Sequence, residues 1–491
     1  MRVLSIDIGA SSGRLIVVTY DKEKGFSSKE TFRFYNGMST IDGHLRWDFN
    51  TLMENIYKGL SLTFEIYKDI KSIGVDTRGV DYGTLNHNNE LVALPIGYRD
   101  SRCKNAATNL LSKIDYSYIY KRSGIQFLNF NTLFQLYDDK VINSLDYETF
   151  LLIPDLINYY LTGNKFVELT NLSTTALYNP VKKEIDEELL KLCGFDKLKM
   201  PKIIYPSKKV GSLKKEIIKK YRLYPCDVIS VGSHDTASAI ASLRLNENMA
   251  YLSSGTWSLL GVELDKPLIN DETYESNFTN EIGLEHRVRF LKNIMGLFII
   301  QELRKDFLKE NPNISFGDIH SEAIKVKNNT TYIDVNAPDF QEPGNMLEKY
   351  NSYLKKTNQY KEMTLGEIAR SIYESMAFKY FEEFHKLENV IGKKLRSIMI
   401  MGGGVNATLL NQLIANVLNI NVYIGLSEAT VFGNALAQFI YLKTFNNLNE
   451  ARAKLNKCTL NVVYSPKDVE LYRCKYINYK TVTEIMNVWK F

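Results

Sequence analysis

At 491 residues the chain is too long for one compact core and is expected to form two large domains. Its 45% hydrophobic and 24% charged residues are those of an ordinary globular protein, and a formal net charge of +5 is too small at this length to point to a nucleic-acid partner. No window reaches the apolar length that spans a bilayer, and the start MRVLSIDIGA has neither signal- nor transit-peptide character, so a cytoplasmic protein without a membrane partner is expected.

Strand-like runs open the chain. VLSIDIG is a short apolar run bounded by glycine, ASSG is turn chemistry, and RLIVVTYD is a second strand, which together make a hairpin with a tip of small residues. SIGVDTRGVDYGTLN is a further strand with a polar tip, and LLIPDLINYYLTG is a helix ended by Gly163. The lysine cluster KKEIIKK belongs to a solvated helix face. CDVISVGSHDTASAIASL gives strand, polar turn and small-residue helix, and MAYLSSGTWSLLGVEL repeats the design of the first hairpin. A pattern repeated near the start of each half implies two related halves around a cleft, where ligands commonly bind. The polar stretch FQEPGNMLEKYNSYLKKTNQYKEM is expected to be a surface excursion. Finally, LRSIMIMGGGVNATLLNQLIANVLNINVYIGL is a strand, glycine turn, helix and strand, and the alternation as a whole gives an α/β fold class. The cysteines Cys103, Cys193, Cys226, Cys458 and Cys474 have no close pairs, which favours reduced thiols, and the six histidines lack zinc-site spacing.

Three motifs bear on chemistry. In DIGASSGR, small residues let backbone N–H groups face an anion, Ser11 and Ser12 add hydroxyls, Arg14 adds a positive charge, and Asp7 could orient Mg²⁺ or its waters. A plain β-turn is the competing reading, and the spacing excludes a Walker A loop. SSGTW, with Ser254, Gly255 and Thr256, is a second tip of the same kind, so a phosphate chain could be held from both sides. Gly402, Gly404 and Ala407 satisfy the G-x-G-x-x-A dinucleotide fingerprint, which raises an NAD-dependent oxidoreductase. That reading requires an acid at the end of the next strand, but NVYIG ends at Gly425 and Glu428 comes late, so the glycines are taken as a close approach to a nucleotide.

Ser233, His234 and Asp235 are the residue types of a hydrolase triad, but consecutive residues on an extended strand point to alternate sides and do not form the relay. A carboxylate between a buried strand and a helix suits a general base or a metal contact, with a helix N-cap as the alternative for Asp235 or Thr236.

As a set, GASSGR, YRDSR, SGIQFLNFNTLFQL, SHDTASA, AYLSSGTWSL, LKNIMGL, and GGG followed by NATLLNQL resemble the motifs of the FGGY carbohydrate kinases, in that family's order and over nearly the whole chain. The resemblance implies an actin-like (ribonuclease H-like) ATPase fold, with an N-terminal domain over 1–243 and a C-terminal nucleotide-binding domain over 244–491. It implies phosphoryl transfer from MgATP to the C1 hydroxyl of a small ketose, L-rhamnulose, with L-fuculose, L-ribulose or D-xylulose as alternatives. A non-catalytic actin-like nucleotide-binding protein is a further alternative, disfavoured by the intact Asp235. Asp235 would be the base, at an ordinary carboxylate pKa of about 4. Gly79, His234, Thr236 and Asn293 would contact the sugar. Ala10, Ser11, Ser12, Gly13 and Arg14, with Thr256, Gln301 and Gly403, would contact ATP, and Asp7 would assist Mg²⁺. Two departures stand out. The resembled pattern has Trp where DTRGVDY has Arg78, beside Gly79, and an arginine there offers directed hydrogen bonds to a sugar unless it turns to solvent or pairs with Asp81. It also has Gly where NEIG has Ile282, which is expected to restrict a turn beside Asn293.

Overall fold

The structure, a computed structural model, describes residues 1–139, 144, 147–309, 311–456 and 462–488, the last four of these by their backbone alone. The chain forms two compact units: Met1–Arg244 with Glu263–Phe290 and Glu428–Thr459, and Leu245–Val262 with Leu291–Ser427 and Leu460–Phe491.

The first unit is built on β1 (Arg2–Ile8), β2 (Ser12–Asp21), β3 (Gly25–Tyr35), β4 (Ile70–Thr77), β5 (Lys208–Ser212) and β6 (Asp227–Ser230), ordered β5-β6-β4-β1-β2-β3. β1 pairs antiparallel with β2 and parallel with β4, and β4 pairs parallel with β6. Leu4, Ile6 and Ile8 of β1 are fully buried, as the near-continuous apolar run requires for a strand covered on both faces. Helix α1 (Phe49–Ile66) packs Phe49, Leu52, Met53, Ile56, Leu60 and Phe64 into this core at helical spacing, with Asp48 capping it through Thr51 N–H. Helix α2 (Ile153–Thr162) ends as its sequence implies, at Gly163 with φ +82° and its N–H bonded to Tyr159.

Two helices set up the site. Helix α3 (Asp235–Ala241) is made almost entirely of small residues, and α7 (Ala429–Tyr441) packs closely on it: a side chain on Gly433 would collide with the Ser238 carbonyl. α7 also presents amides to the sheet. Gln438 Nε2 donates to Leu4 O at 3.0 Å, Ser72 Oγ donates to Gln438 Oε1 at 2.7 Å, and Asn434 Nδ2 donates to Asp76 Oδ2 at 2.6 Å. This buried polar ladder fixes the helix at one register on the sheet.

The second unit holds β7 (Met249–Ser254), most of β8 (Trp257–Leu264) and of β10 (Val288–Met295), β11 (Ser397–Met401), β12 (Asn421–Ile424) and β13 (Val462–Tyr464), ordered β10-β8-β7-β11-β12-β13; the last two residues of β8, the first three of β10 and all of β9 (Thr279–Ile282) fall in the first unit. β7 pairs antiparallel with β8 and parallel with β11, and β11 pairs parallel with β12. Helices α4 (Phe298–Phe307), α5 (Leu365–Ile391) and α6 (Thr408–Leu418) complete the elements used below.

Two expectations are corrected. The stretch around 340–365 is not a plain surface excursion: Met346–Lys356 is a helix whose Met346, Tyr350, Tyr353 and Leu354 are fully buried. Its apolar residues recur at helical spacing among lysines and asparagines, a pattern diluted by the charged face. Ile282 is not a constrained turn residue, because it ends β9 with an ordinary backbone and its side chain is buried in the hydrophobic core. Among the described residues no helix is long and apolar enough to cross a membrane. Cys103, Cys193, Cys226 and Cys474 are unpaired, and Cys458 lies outside the described residues.

Candidate active site

The first hairpin tip turns through Gly9, Ala10 and Ser11, with Gly9 N–H donating to Ser12 C=O at 3.0 Å. Asn36 clasps it, its N–H donating to Ser11 O at 3.2 Å and its Nδ2 to Gly9 O at 2.7 Å. Ala10 and Ser11 are exposed, whereas Gly13 faces Phe34 so closely that any side chain would strike the ring. Arg14 donates to Glu428 Oε2 at 2.6 Å and pairs with Asp7. Burial opposes its charge, but Asp7 and Glu428 together hold its pKa above the ordinary value. The charge expected to be free for phosphate oxygens is thus already balanced by two carboxylates. Glu428, the late acid of the dinucleotide reading, is one of them.

Asp7 and Asp76 are register partners at the ends of β1 and β4. Asp76 is fully buried; Asn434 donates to its Oδ2, and its Oδ1 has no hydrogen-bond partner. Burial and then the charge of Asp7 push its pKa well above the carboxylate range. Asp235 is the first residue of α3, and its Oδ1 accepts from Thr236 N–H at 2.6 Å and Thr236 Oγ1 at 3.1 Å. It is not the N-cap; His234 holds that position. Burial first, and Asp7 second, raise the Asp235 pKa to about 6, so the ordinary value expected from sequence is corrected upward. The charge of Asp7 thus bears on both Asp76 and Asp235. Among the described residues no set of three or more His, Cys, Asp or Glu converges on one point as a metal cage. Mg²⁺ needs no such cage, since it keeps several waters and binds through one or two carboxylates plus phosphate oxygens; Asp7 and the orphaned Asp76 Oδ1 fit that mode.

The apparent triad is dismantled by its neighbours. Ser233 gives its hydroxyl to Glu168 Oε2 at 2.6 Å and its N–H to the same oxygen at 3.2 Å. His234 Nδ1 lies 3.2 Å from Arg289 Nη1; a guanidinium only donates, so the imidazole is neutral with its proton on Nε2. Burial and then Arg289 hold the His234 pKa well below the usual imidazole value. His234 Nε2 is 3.5 Å from Asp235 Oδ1, a closer approach than strand alternation allows, because the pair sits where strand gives way to helix. Arg289, fully buried, is paired with Glu281 Oε2 at 2.9 Å and donates to Ile282 O through Nε and Nη2 at 3.2 and 3.1 Å. Gly79 lies against this group: a Cβ there would be 3.1 Å from Thr174 Oγ1 and 3.5 Å from the His234 ring. Arg78, beside it, is buried and does not reach solvent. Thr236 is buried too.

The remaining candidates lie in the second unit. Gly255 N–H donates to Trp257 C=O at 3.0 Å, closing the second tip, and Leu297 N–H donates to Gly255 C=O at 2.8 Å, tying the tip to the start of α4. Thr256 Oγ1 donates to Gln301 Oε1 at 3.2 Å, which joins two candidates. The glycine run after β11 divides its labour. Gly402 has φ +79°, and a side chain on Gly404 would collide with Ser254 Oγ, whereas a Cβ on Gly403 would meet nothing within 4 Å. Asn293 sits on β10 and is half-buried.

Several functional candidates escaped the sequence. Asp76 was findable, since VDTRG ends a strand as SIDIG does. Asn434, Glu168 and Arg289 carried no local signal, because each acts on a residue distant in the chain, and Glu281 acts through Arg289.

Comparison with known proteins gives the family and the fold. The model of the FGGY family of carbohydrate kinases, N-terminal domain, matches residues 2–241, and that of the C-terminal domain matches residues 250–442. A protein of Ligilactobacillus salivarius named rhamnulokinase is 38% identical over 438 residues, covering 89% of this chain and 90% of that one. Another of that name from Bacteroides thetaiotaomicron is 35% identical over 482 residues, covering 97% and 98%. Among solved structures, ligand-bound xylulose kinase of Lactobacillus acidophilus superposes with TM-score 0.81 at 17% identity, covering 99% of this chain and 98% of that chain. Plasmodium falciparum glycerol kinase with ADP gives 0.77 at 18% identity, covering 98% and 97%. The fold is theirs, an α/β fold of the actin-like ATPase type, and the chain belongs to the FGGY family of carbohydrate kinases.

Proposed function

We propose that the protein transfers the γ-phosphoryl group of ATP to the C1 hydroxyl of L-rhamnulose, yielding L-rhamnulose 1-phosphate and ADP. The observation that carries the chemistry is Asp235: a buried carboxylate at a helix start, one oxygen held by Thr236 and its pKa raised to about 6. Such a group is ionised at pH 7 and basic enough to take a proton. The relatives named rhamnulokinase support the choice of sugar.

In this reading the C1 oxygen attacks the γ-phosphorus as its proton passes to Asp235; the new O–P bond forms and the bond to the leaving ADP oxygen breaks. Little covalent work falls to the protein, which aligns the groups and offsets charge. Gly79, His234 and Thr236 of the first unit are the candidates for the sugar, with the Nε2–H of neutral His234 available as a donor, and Asn293 is the second unit's candidate. Each unit has its own candidates for the nucleotide: the exposed tip Ala10–Ser11 with Ser12, Gly13 and Arg14 in the first, and Thr256, Gln301 and Gly403 in the second. Asp7 and Asp76 would hold Mg²⁺ through its waters, and the bound ion would supply charge neutralisation on the phosphate oxygens.

The test is ADP release in the presence of MgATP and each of L-rhamnulose, L-fuculose, L-ribulose and D-xylulose. L-Rhamnulose is expected to give the highest kcat/KM, and absence of turnover with it overturns the assignment.

A further inference from the structure

The loop after β4 carries a feature that the reaction above leaves unused. Asp81 N–H donates to Gly79 C=O at 3.0 Å across Val80, whose φ is +69°. That is a γ-turn of the positive-φ sense, a strained backbone for a β-branched residue. Side chains from elsewhere hold it in place: Thr132 Oγ1 donates to Val80 O at 2.8 Å, and Gln135 Nε2 lies 3.3 Å from Val80 O and 3.4 Å from Asp81 Oδ1. Strain kept by several surrounding bonds is characteristic of ligand-holding loops.

Arg78 rides on this loop. Its relative exposure is 8%, and its guanidinium carbon lies over the Trp47 ring, 3.2 Å from the centroid. Its Nε is 3.3 Å from Asp81 Oδ2, which also accepts from Trp47 Nε1 at 2.7 Å. Nη1 and Nη2 are both buried and neither has a hydrogen-bond partner. Donors of a charged group are costly to bury unmade, so oxygen acceptors are expected to meet them. The loop runs beside the candidate base: Thr77 N–H donates to Ser233 C=O at 2.9 Å, and Gly79 borders the His234 ring. Asp81 already balances the Arg78 charge, so the acceptors that fit are neutral hydroxyl or carbonyl oxygens, not a carboxylate or phosphate.

We propose that Arg78 is a specificity-determining residue whose Nη groups hold the carbonyl or hydroxyl oxygens of a neutral ketose beyond its reacting C1 hydroxyl. This rests on the sugar-kinase reading. Trp47 and Asp81 hold the guanidinium in place, so its remaining donors are held too and select the configuration of those oxygens.

The test is steady-state kinetics of the full chain and of Arg78→Met, Arg78→Lys and Arg78→Trp against the four ketoses above, at saturating MgATP. Arg78→Met is expected to raise KM for the best ketose at least about tenfold, a loss of ground-state binding, with kcat falling much less. It should also narrow or reorder the kcat/KM ratios across the panel. Arg78→Lys should recover part of the KM, and Arg78→Trp should reorder the ratios again. Unchanged KM and ratios, within about twofold of wild type in Arg78→Met, overturn the proposal. Should that variant melt early, the same unchanged values in Arg78→Lys, which keeps the charge but not the paired donors, overturn it equally. Failure of the sugar-kinase reading is distinguishable, because wild type itself would then turn over no ketose.

Discussion

In the first unit β1 is flanked by an antiparallel β2 and a parallel β4; in the second, β7 is flanked by an antiparallel β8 and a parallel β11. Carried outward, the orders β3-β2-β1-β4-β6-β5 and β10-β8-β7-β11-β12-β13 correspond strand for strand. What stands at the strand ends differs. The first unit presents carboxylates, Asp7 and Asp76, joined by Asp235 at a helix start. The second presents hydroxyls and bare backbone: Ser254, Thr256 and the glycines from Gly402 to Gly404. One scaffold thus carries a titratable set and a neutral set. Proton transfer can reside only in the first, whereas the second can offer neutral donors to an anion without perturbing anything that titrates.

The sharpest way to break this contrast is to neutralise Asp235, the proposed base of the first unit. Asp235→Asn keeps the size and the acceptor for Thr236 but cannot take a proton. General-base contributions run at about 10² to 10⁴ in rate, so kcat is expected to fall by at least that order while ATP affinity, measured by calorimetry, stays near wild type. Near-normal turnover would remove Asp235 from the role.

A second test uses pH. Burial and Asp7 raise the Asp235 pKa to about 6, and the base is active when ionised, so activity is gained as pH rises through about 6 and lost below it. In the acid limb kcat/KM should fall about tenfold per pH unit below the Asp235 pKa of about 6. His234, whose pKa is held well below its ordinary value by burial and Arg289, should not contribute to that limb. An acid limb centred near 4 instead would show that Asp235 is solvated during turnover.

Sequence patterns carried the frame of this comparison because they are local. Two hairpins with small-residue tips, a strand–turn–helix around Asp235 and a glycine run each fit within about a dozen neighbouring residues. What sequence could not carry was the environment. The raised pKa of Asp235 depends on Asp7, more than two hundred residues earlier, and the neutrality of His234 depends on Arg289. Arg14 looked like a free cation because Glu428, its partner across the unit, is far along the chain. Met346–Lys356 was hidden for another reason: a helix with one narrow buried face has a composition dominated by its exposed lysines.

The glycine run sharpens the contrast from the side of the second unit, with the smallest expected effects. Gly404 sits where any Cβ would collide with Ser254 Oγ, at the end of β7. Gly404→Ala must therefore displace Ser254 or the turn, and overpacking of this kind costs about 1–3 kcal/mol, to be read as a lower midpoint in urea unfolding. Gly403 faces open space, so Gly403→Ala should leave the midpoint unchanged. If that open space admits a nucleotide, the added methyl group obstructs it, and KM for ATP should rise by about tenfold, equivalent to about 1.4 kcal/mol, with KM for the ketose unmoved. The two neighbouring substitutions thus separate scaffold from contact: one changes stability first, the other ATP affinity alone. Equal stability loss in both would mean that Gly403 serves the turn and not a ligand, and the neutral set would then lose Gly403.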